Sequence, residues 1–377
     1  MRFVTPILKK VVYPSMAGAG SFRSIARQGV AVITYHGLLP EGYRPMDPGF
    51  DGRLITADVF RHQLRLLRTR YNVISPEEMQ AWAREEQELP PRAALLTCDD
   101  GLLNNVTEML PILLEEGLRC LFFVTGASAG DQRAMLWHDE LLLMLLRASA
   151  GDFAFSCEGV DFVGALGERQ QRRALWWSAV KQLSAIDADQ RERVLDAAHR
   201  YFGLEPAVQF YRRNYSLAER HFCLMTSDEI RQLAAAGMTI GAHTMTHPIL
   251  AQMPPGLAWQ EIVNCKMRLE SVLGKEIWAF AYPYGDAASA TASVLTMARR
   301  AGFEMSFLNV GGGLGASLPL DAMPRIHVST GMTLAEYEAH VSGFYELLRR
   351  IFSPTPRDIP TTPDAAPATQ IPDSPHV

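Results

Sequence analysis

Over most of its length the chain alternates between short apolar runs of strand length and longer segments whose apolar residues recur at helical spacing. No other feature restricts its fold as strongly. The runs Val30 to Tyr35, Tyr71 to Ile74, Ala93 to Leu96, Cys120 to Val124, Met238 to Ala242, Ile277 to Ala281 and Met305 to Leu308 read as strands. Between them, Phe60, Leu64 and Leu67 recur on one face of a segment that Thr56 can cap, Ser75 can cap the next, and Thr107 to Glu116 is closed by Gly117. Strands alternating with helices over short connections predict a parallel sheet with its crossover helices outside, and a closed or nearly closed barrel follows.

Several of these runs end on residues able to do chemistry. The first delivers His36, the third Asp99 and Asp100, and the fifth His243. In parallel barrels the functional groups gather at the C-terminal ends of the strands, so these residues are expected to meet. Successive strand side chains face opposite ways, so Asp99 and Asp100 cannot share a task unless the strand ends between them. One can hold a metal while the other acts on water. The plainer reading is a polar strand-to-loop turn, for which Asp-Gly is common chemistry. His243 and His247 are four residues apart, a spacing at which a helical turn brings both imidazoles to one side. Two histidines and a carboxylate suit Zn²⁺ with a position left open, and Asp100 is the natural third ligand.

With these residues in view, the chain resembles the polysaccharide deacetylase family, the NodB-homology carbohydrate esterases. Thr97-Cys98-Asp99-Asp100-Gly101 is similar to the family's Thr-Phe-Asp-Asp-Gly motif, with Cys98 in place of Phe. His243 to His247 is similar to its His-Ser/Thr-x-x-His motif, and Tyr282-Pro283-Tyr284-Gly285 to its third motif. The resemblance implies a distorted (β/α)7 barrel over 30–352, with Asp99 as general base and Asp100, His243 and His247 holding a divalent metal, usually zinc. It also implies an oxyanion contact from the backbone N–H of Tyr284. The family's third motif usually carries an Arg that orients the base, but Phe280, Ala281 and Tyr282 stand there. Arg325 is the candidate to reach Asp99 instead, against a purely structural or surface role. A late histidine that protonates the leaving amine would be His327, with a packed strand-end His as the alternative. His36 is a weaker candidate for substrate contact.

Between about residues 137 and 221 the rhythm changes to long amphipathic segments with a short hairpin near Phe153 to Val163, predicting a mostly helical insertion. Its aromatics Trp176, Trp177, Tyr201 and Phe202 are expected as a core stripe rather than a sugar platform. Trp137 and Asp139 precede it, near enough to reach the cleft. His62, His138, His199, His221 and His340 have no matching partners and read as structural or surface residues. The glycines at 311–313 read as a turn, Leu334 to Phe352 as one closing helix, and 353–377, rich in Pro, Thr, Ala and Asp, as a disordered tail.

Composition removes other classes. A net charge of -5 offers no general attraction for nucleic acid, and there is no apolar run of the length, about 18 residues, that spans a membrane. Five scattered cysteines without a Cys-x-x-Cys pair fit a reducing compartment. Residues 1–29 form a lead segment. Arg2, Lys9, Lys10, Arg23 and Arg27 within it offer a contact to a membrane surface, or more simply the solvent face of a helix, and no evident signal segment points to a cytoplasmic location. The expected function is a zinc-dependent hydrolase that removes acetyl groups from amino sugars of a glycan. The alternatives are a deformylase or deacylase of a lipid-linked sugar or other small amide, and a glycan-binding protein that has lost turnover.

Overall fold

A computed structural model describes residues 7–25, 29–43, 52–130, 133–311 and 319–352. The tail at 353–377, Arg2, Arg27 and two of the three glycines at 311–313 therefore lie outside the described residues.

Strands β1 (Ala31–Tyr35), β3 (Ala93–Cys98), β4 (Leu121–Val124), β7 (Thr239–Ala242), β8 (Ala279–Ala281) and β9 (Met305–Leu308) pair in parallel, in the order β9-β8-β7-β4-β3-β1. A last strand closes the ring. Its first half, β10 (Met323–Pro324), pairs with β9, and its second half, β11 (Ile326–His327), pairs with β1, with only Arg325 between them. The short β2 (Asn72–Ile74) adds to β3. A (β/α)7 barrel results, as expected.

Every residue of β1, β3, β4, β7, β8 and β9 is buried, which is why they read as continuous apolar runs rather than alternating ones. The period of two nevertheless sorts them. Val32, Leu95, Phe123, Ala281 and Phe307 form one core inside the barrel, while Ile33, Leu96, Phe122, Ile240 and Phe280 pack outward against helix residues such as Phe60, Leu64, Ile230 and Ile262. Gly241 belongs to the inner face. A Cβ there would come within 2.6 Å of the Phe123 ring, so the glycine makes room for the barrel's central aromatic.

The insertion comprises the helices Trp137–Arg147, Arg169–Ser184, Ala188–Phe202, Ala207–Asn214 and Ala218–Phe222, and an antiparallel hairpin of β5 (Gly151–Cys157) and β6 (Val160–Leu166). It has its own core, built from Leu141, Met144, Phe162, Val180, Leu183 and Val194, to which the barrel contributes Ile249. No helix among the described residues is long and apolar enough to cross a membrane. The expected single closing helix is two, Leu334–Val341 and Phe344–Phe352. Gly343, at φ 85°, lies between them in the left-handed region and ends the first.

Candidate metal centre and active site

Leu95, Thr97 and Asp99 share the inward face of β3, so Asp99 ends inside the barrel mouth. Strand geometry stops at Cys98, and Asp100 adopts φ 77°, which turns its carboxylate away from the outward side that alternation would give it. β1 runs in register with β3, Tyr35 opposite Cys98, and brings His36 level with Asp99.

Arg325 occupies the barrel interior with 0% exposure, its guanidinium 5.3 Å from the Phe123 ring centre. Nη1 and Nη2 donate to Oδ1 and Oδ2 of Asp99, both at 2.6 Å, while Nη1 also reaches Thr97 Oγ1 at 3.3 Å and Nε donates to Leu308 O at 3.3 Å. The side chain named from sequence thus reaches Asp99 in a two-pronged pair. Burial alone would raise the Asp99 pKa, but Arg325 foremost, together with His243 and His36, outweighs it and holds the carboxyl below its usual value.

The expectation that a helical turn aligns His243 and His247 is not met. The segment after β7 is a loop in which Thr244 and His247 take φ of 63° and 64°. Hydrogen bonds hold these two non-glycine residues there. His247 N donates to Thr244 Oγ1 at 3.0 Å, Gly126 N to Thr244 O at 3.0 Å, and the buried Glu261 accepts from Thr246 N at 2.7 Å and Thr246 Oγ1 at 2.6 Å. The loop, not a helix, then points both rings at Asp100. His243 Nε2 lies 3.7 Å and His247 Nε2 3.4 Å from Asp100 Oδ1.

Ligand atoms of Asp100, His243 and His247 all lie within 4.8 Å of one another, and all three residues are buried. This donor set fits a divalent cation on its own chemistry. His243 Nδ1 meets Ala281 O at 2.7 Å, which assigns the proton to Nδ1 and leaves the Nε2 lone pair facing the cluster. Burial lowers the His243 pKa to about 4, favouring the neutral ring that a metal requires. Asp100 is ionised despite burial, because His247, Arg53 and His36 hold its carboxyl well below the usual range.

Two residues that sequence reading missed complete the centre. Arg53 sends Nη1 to Asp139 Oδ1 at 3.1 Å and pairs Nη2 with Asp139 Oδ2, while its Nε lies 3.7 Å from Asp100 Oδ2. Asp100 is therefore split, one oxygen toward the histidines and the other toward Arg53. His138 lies 3.2 Å from Asp139 Oδ1 and its ring centre 4.8 Å from that of His247, so the reading of His138 as a residue without partners is corrected. Nothing local marks Arg53, because its partner is 86 residues away in the insertion.

The cavity that contains these groups measures about 300 Å³. His36, Asp99 and Tyr284 line it, and so do Trp176 and Trp177 from the insertion. His327 does not; it stands behind His36, ring centres 5.1 Å apart, with its Nδ1 buried. Of the expected core stripe, Trp176 and Phe202 do pack against the insertion core, whereas Trp177 is 38% and Tyr201 49% exposed. Trp176 shares its helix face with Val180 and Leu183. Trp177, one residue on, is rotated away from that face toward the barrel mouth. The Tyr284 turn has φ 61°, followed by Gly285 at 64°, where a Cβ would meet Asn309 N at 2.5 Å.

Comparison with known proteins agrees with this geometry. Residues 202–306 match the family model described as polysaccharide deacetylase, a span that includes the His243 and Tyr284 motifs but not Asp99 and Asp100, which precede the insertion. The Bacillus subtilis (strain 168) protein YxkH, which bears a polysaccharide deacetylase name, is 23% identical over 126 residues, 33% of this chain and 43% of its own length. Two solved structures share the fold. The Streptococcus pyogenes deacetylase PplD, in complex with acetate, is 17% identical with a TM-score of 0.51, covering 84% of this chain and 99% of that one. IcaB from Ammonifex degensii is 18% identical, also with a TM-score of 0.51, covering 84% and 98%. The resemblance to the polysaccharide deacetylase family carried by the motifs is borne out.

Proposed function

We propose that this chain is a metal-dependent hydrolase that removes acetyl groups from N-acetylated amino sugars of a glycan, releasing acetate and a free amine. The observation that carries the reading is the placement of a Arg325-paired Asp99 beside the Asp100, His243 and His247 cluster in one cavity. A divalent cation, zinc being the natural choice for this donor set, would supply Lewis acidity to the acyl carbonyl and lower the pKa of water toward about 7.

The protein's own groups divide the remaining work. Asp99, held ionised by Arg325, accepts the proton of the attacking water. A carboxylate with a lowered pKa is a weak base, so this role requires water made more acidic nearby, and the adjoining cluster meets that need. Arg325 fixes the direction of both Asp99 oxygens. The Tyr284 turn orients a backbone N–H for the oxyanion, and Pro283, with its locked backbone angle, helps hold it. His36 lines the cavity on the Asp99 side as a substrate contact, and His327, packed behind it, would supply the proton for the leaving amine by way of His36.

The test is acetate release from N-acetylglucosamine oligosaccharides by the zinc-loaded full chain. Turnover abolished by Asp99→Asn and by His243→Ala supports the reading. Formate release from N-formyl sugars without acetate release would replace it with deformylation. Saccharide binding without release of either acid would replace it with glycan binding.

A further inference from the structure

The lead segment and the last helix pack together, and both keep apolar surface that the fold does not cover. We propose that this surface docks on an anionic lipid bilayer, its apolar side chains entering the interface while flanking lysine and arginine side chains meet the headgroups. The inference goes beyond the deacetylase reading and does not depend on it.

The apolar pattern is the first observation. In Phe344–Phe352 the residues Phe344, Leu347, Leu348, Ile351 and Phe352 fall at i, i+3, i+4, i+7 and i+8, one face of a helix. The core beneath, built on Tyr13, Phe22 and Ala339, takes Phe344 and Leu348. Leu347 stays exposed, and Ile351 and Phe352 are 70% and 61% exposed. The lead segment, helical over Leu8–Val12 and Tyr13–Gly18, repeats the arrangement. Leu8, Val12 and Met16 pack on the same core, while Ile7 and Val11, on the adjoining stripe, are exposed. Phe344 joins the two segments, its ring 5.6 Å from that of Phe22 and 6.3 Å from that of Tyr13. Of thirteen large apolar side chains exposed among the described residues, five lie on these two segments, so this surface is concentrated rather than scattered.

Charge is the second observation, and it selects the occupant. The whole chain has a net charge of -5, yet residues 7–25 contain no carboxylate, while Lys9, Lys10 and Arg23 are exposed. In Phe344–Phe352 the one carboxylate, Glu346, is buried and accepts from Arg349 at 2.8 Å, whereas Arg350 is exposed. Glu336 and Glu338, on the helix Leu334–Val341 that adjoins both segments, are buried too and pair with Lys9 and Arg70. These segments therefore show solvent basic side chains beside bare hydrocarbon. An isologous contact with a second copy would set the cations against each other, whereas an anionic bilayer accepts both the charge and the apolar groups.

Place is the third. Arg92, just before β3, donates from Nη1 to Arg23 O at 3.0 Å, so the lead segment meets the end of the barrel opposite Asp99. A bilayer on that side leaves the barrel mouth open to substrate.

Flotation of the full chain with lipid vesicles reads the contact. Mixed phosphatidylglycerol and phosphatidylcholine vesicles should carry the protein, and pure phosphatidylcholine vesicles should not. Ile351→Ser combined with Phe352→Ser should weaken binding at least about tenfold, from the apolar area lost. Lys10→Ala should weaken it about fivefold and reduce its sensitivity to salt. Circular dichroism of each variant checks the fold. Failure to float with the mixed vesicles overturns the inference, as does equal binding to both vesicle types or unchanged binding by the double serine variant. So does a dimer in solution that the two serines dissolve, which would give the face to a second copy. Acetate release, whose residues lie at the other end of the barrel, tests the deacetylase reading separately.

Discussion

Arg325 is 0% and Asp99 2% exposed, with two charge-assisted bonds of 2.6 Å between them. Arg325→Met leaves a buried carboxylate without its counter-charge, and breaking such a pair from one side costs about 3–5 kcal/mol. Arg325→Lys keeps a charge but not the fork, so it should lose about 1.5–3 kcal/mol, the worth of one hydrogen bond to a charged group. Removing both charges should recover stability, because the penalty lies in the orphaned charge: Asp99→Asn with Arg325→Met should be more stable than Arg325→Met alone. Urea unfolding of the zinc-free proteins reads these differences, provided the dependence on urea is unchanged. In catalysis, Arg325→Lys should lower kcat more than it changes KM, since it disturbs a base rather than a binding contact. An Arg325→Met protein within about 0.5 kcal/mol of wild type, the range of an ordinary surface substitution, would refute the reasoning. So would an Arg325→Lys enzyme with undiminished turnover.

Asp139 is held below the usual carboxylate range because Arg53 and His138 overcome the opposing effect of burial. Such a group contributes stability that is full above its unfolded pKa of about 4 and is lost as pH falls toward its folded value. Asp139→Asn should therefore be less stable than wild type at neutral pH, with the gap narrowing below about pH 4 in thermal melts across pH. His327→Ala should lower kcat and leave zinc content unchanged. Loss of zinc in that variant would move His327 from proton transfer to support of the cluster.

What the sequence discloses follows the distance over which the physics acts. Strands buried on both faces must be apolar throughout, so β1, β3, β7 and β9 are visible as runs, and the residues ending them, His36, Asp99 and His243, fall at the barrel mouth because parallel topology puts them there. Arg325 was a candidate from its strand-end place, and the split of the last strand around it carries it inward. The loop of His243 to His247 was not legible in its conformation. Left-handed backbone at Thr244 and His247 depends on Glu261 and Gly126, neither of which is local. Arg53 and Asp139 meet only through tertiary structure, 86 residues apart. The Trp177 ring escaped because helical spacing identifies an apolar stripe but not the residue at its margin, which faces either core or cavity according to what the helix packs on.

The zinc content of the purified full chain reads, without any assumption about substrate, whether Asp100, His243 and His247 form one metal centre. About one zinc per chain is expected, lost in His243→Ala while the variant remains folded by circular dichroism. A protein that stays metal-free after zinc is supplied, or a His243→Ala variant that retains its zinc, would contradict a single centre of these three residues.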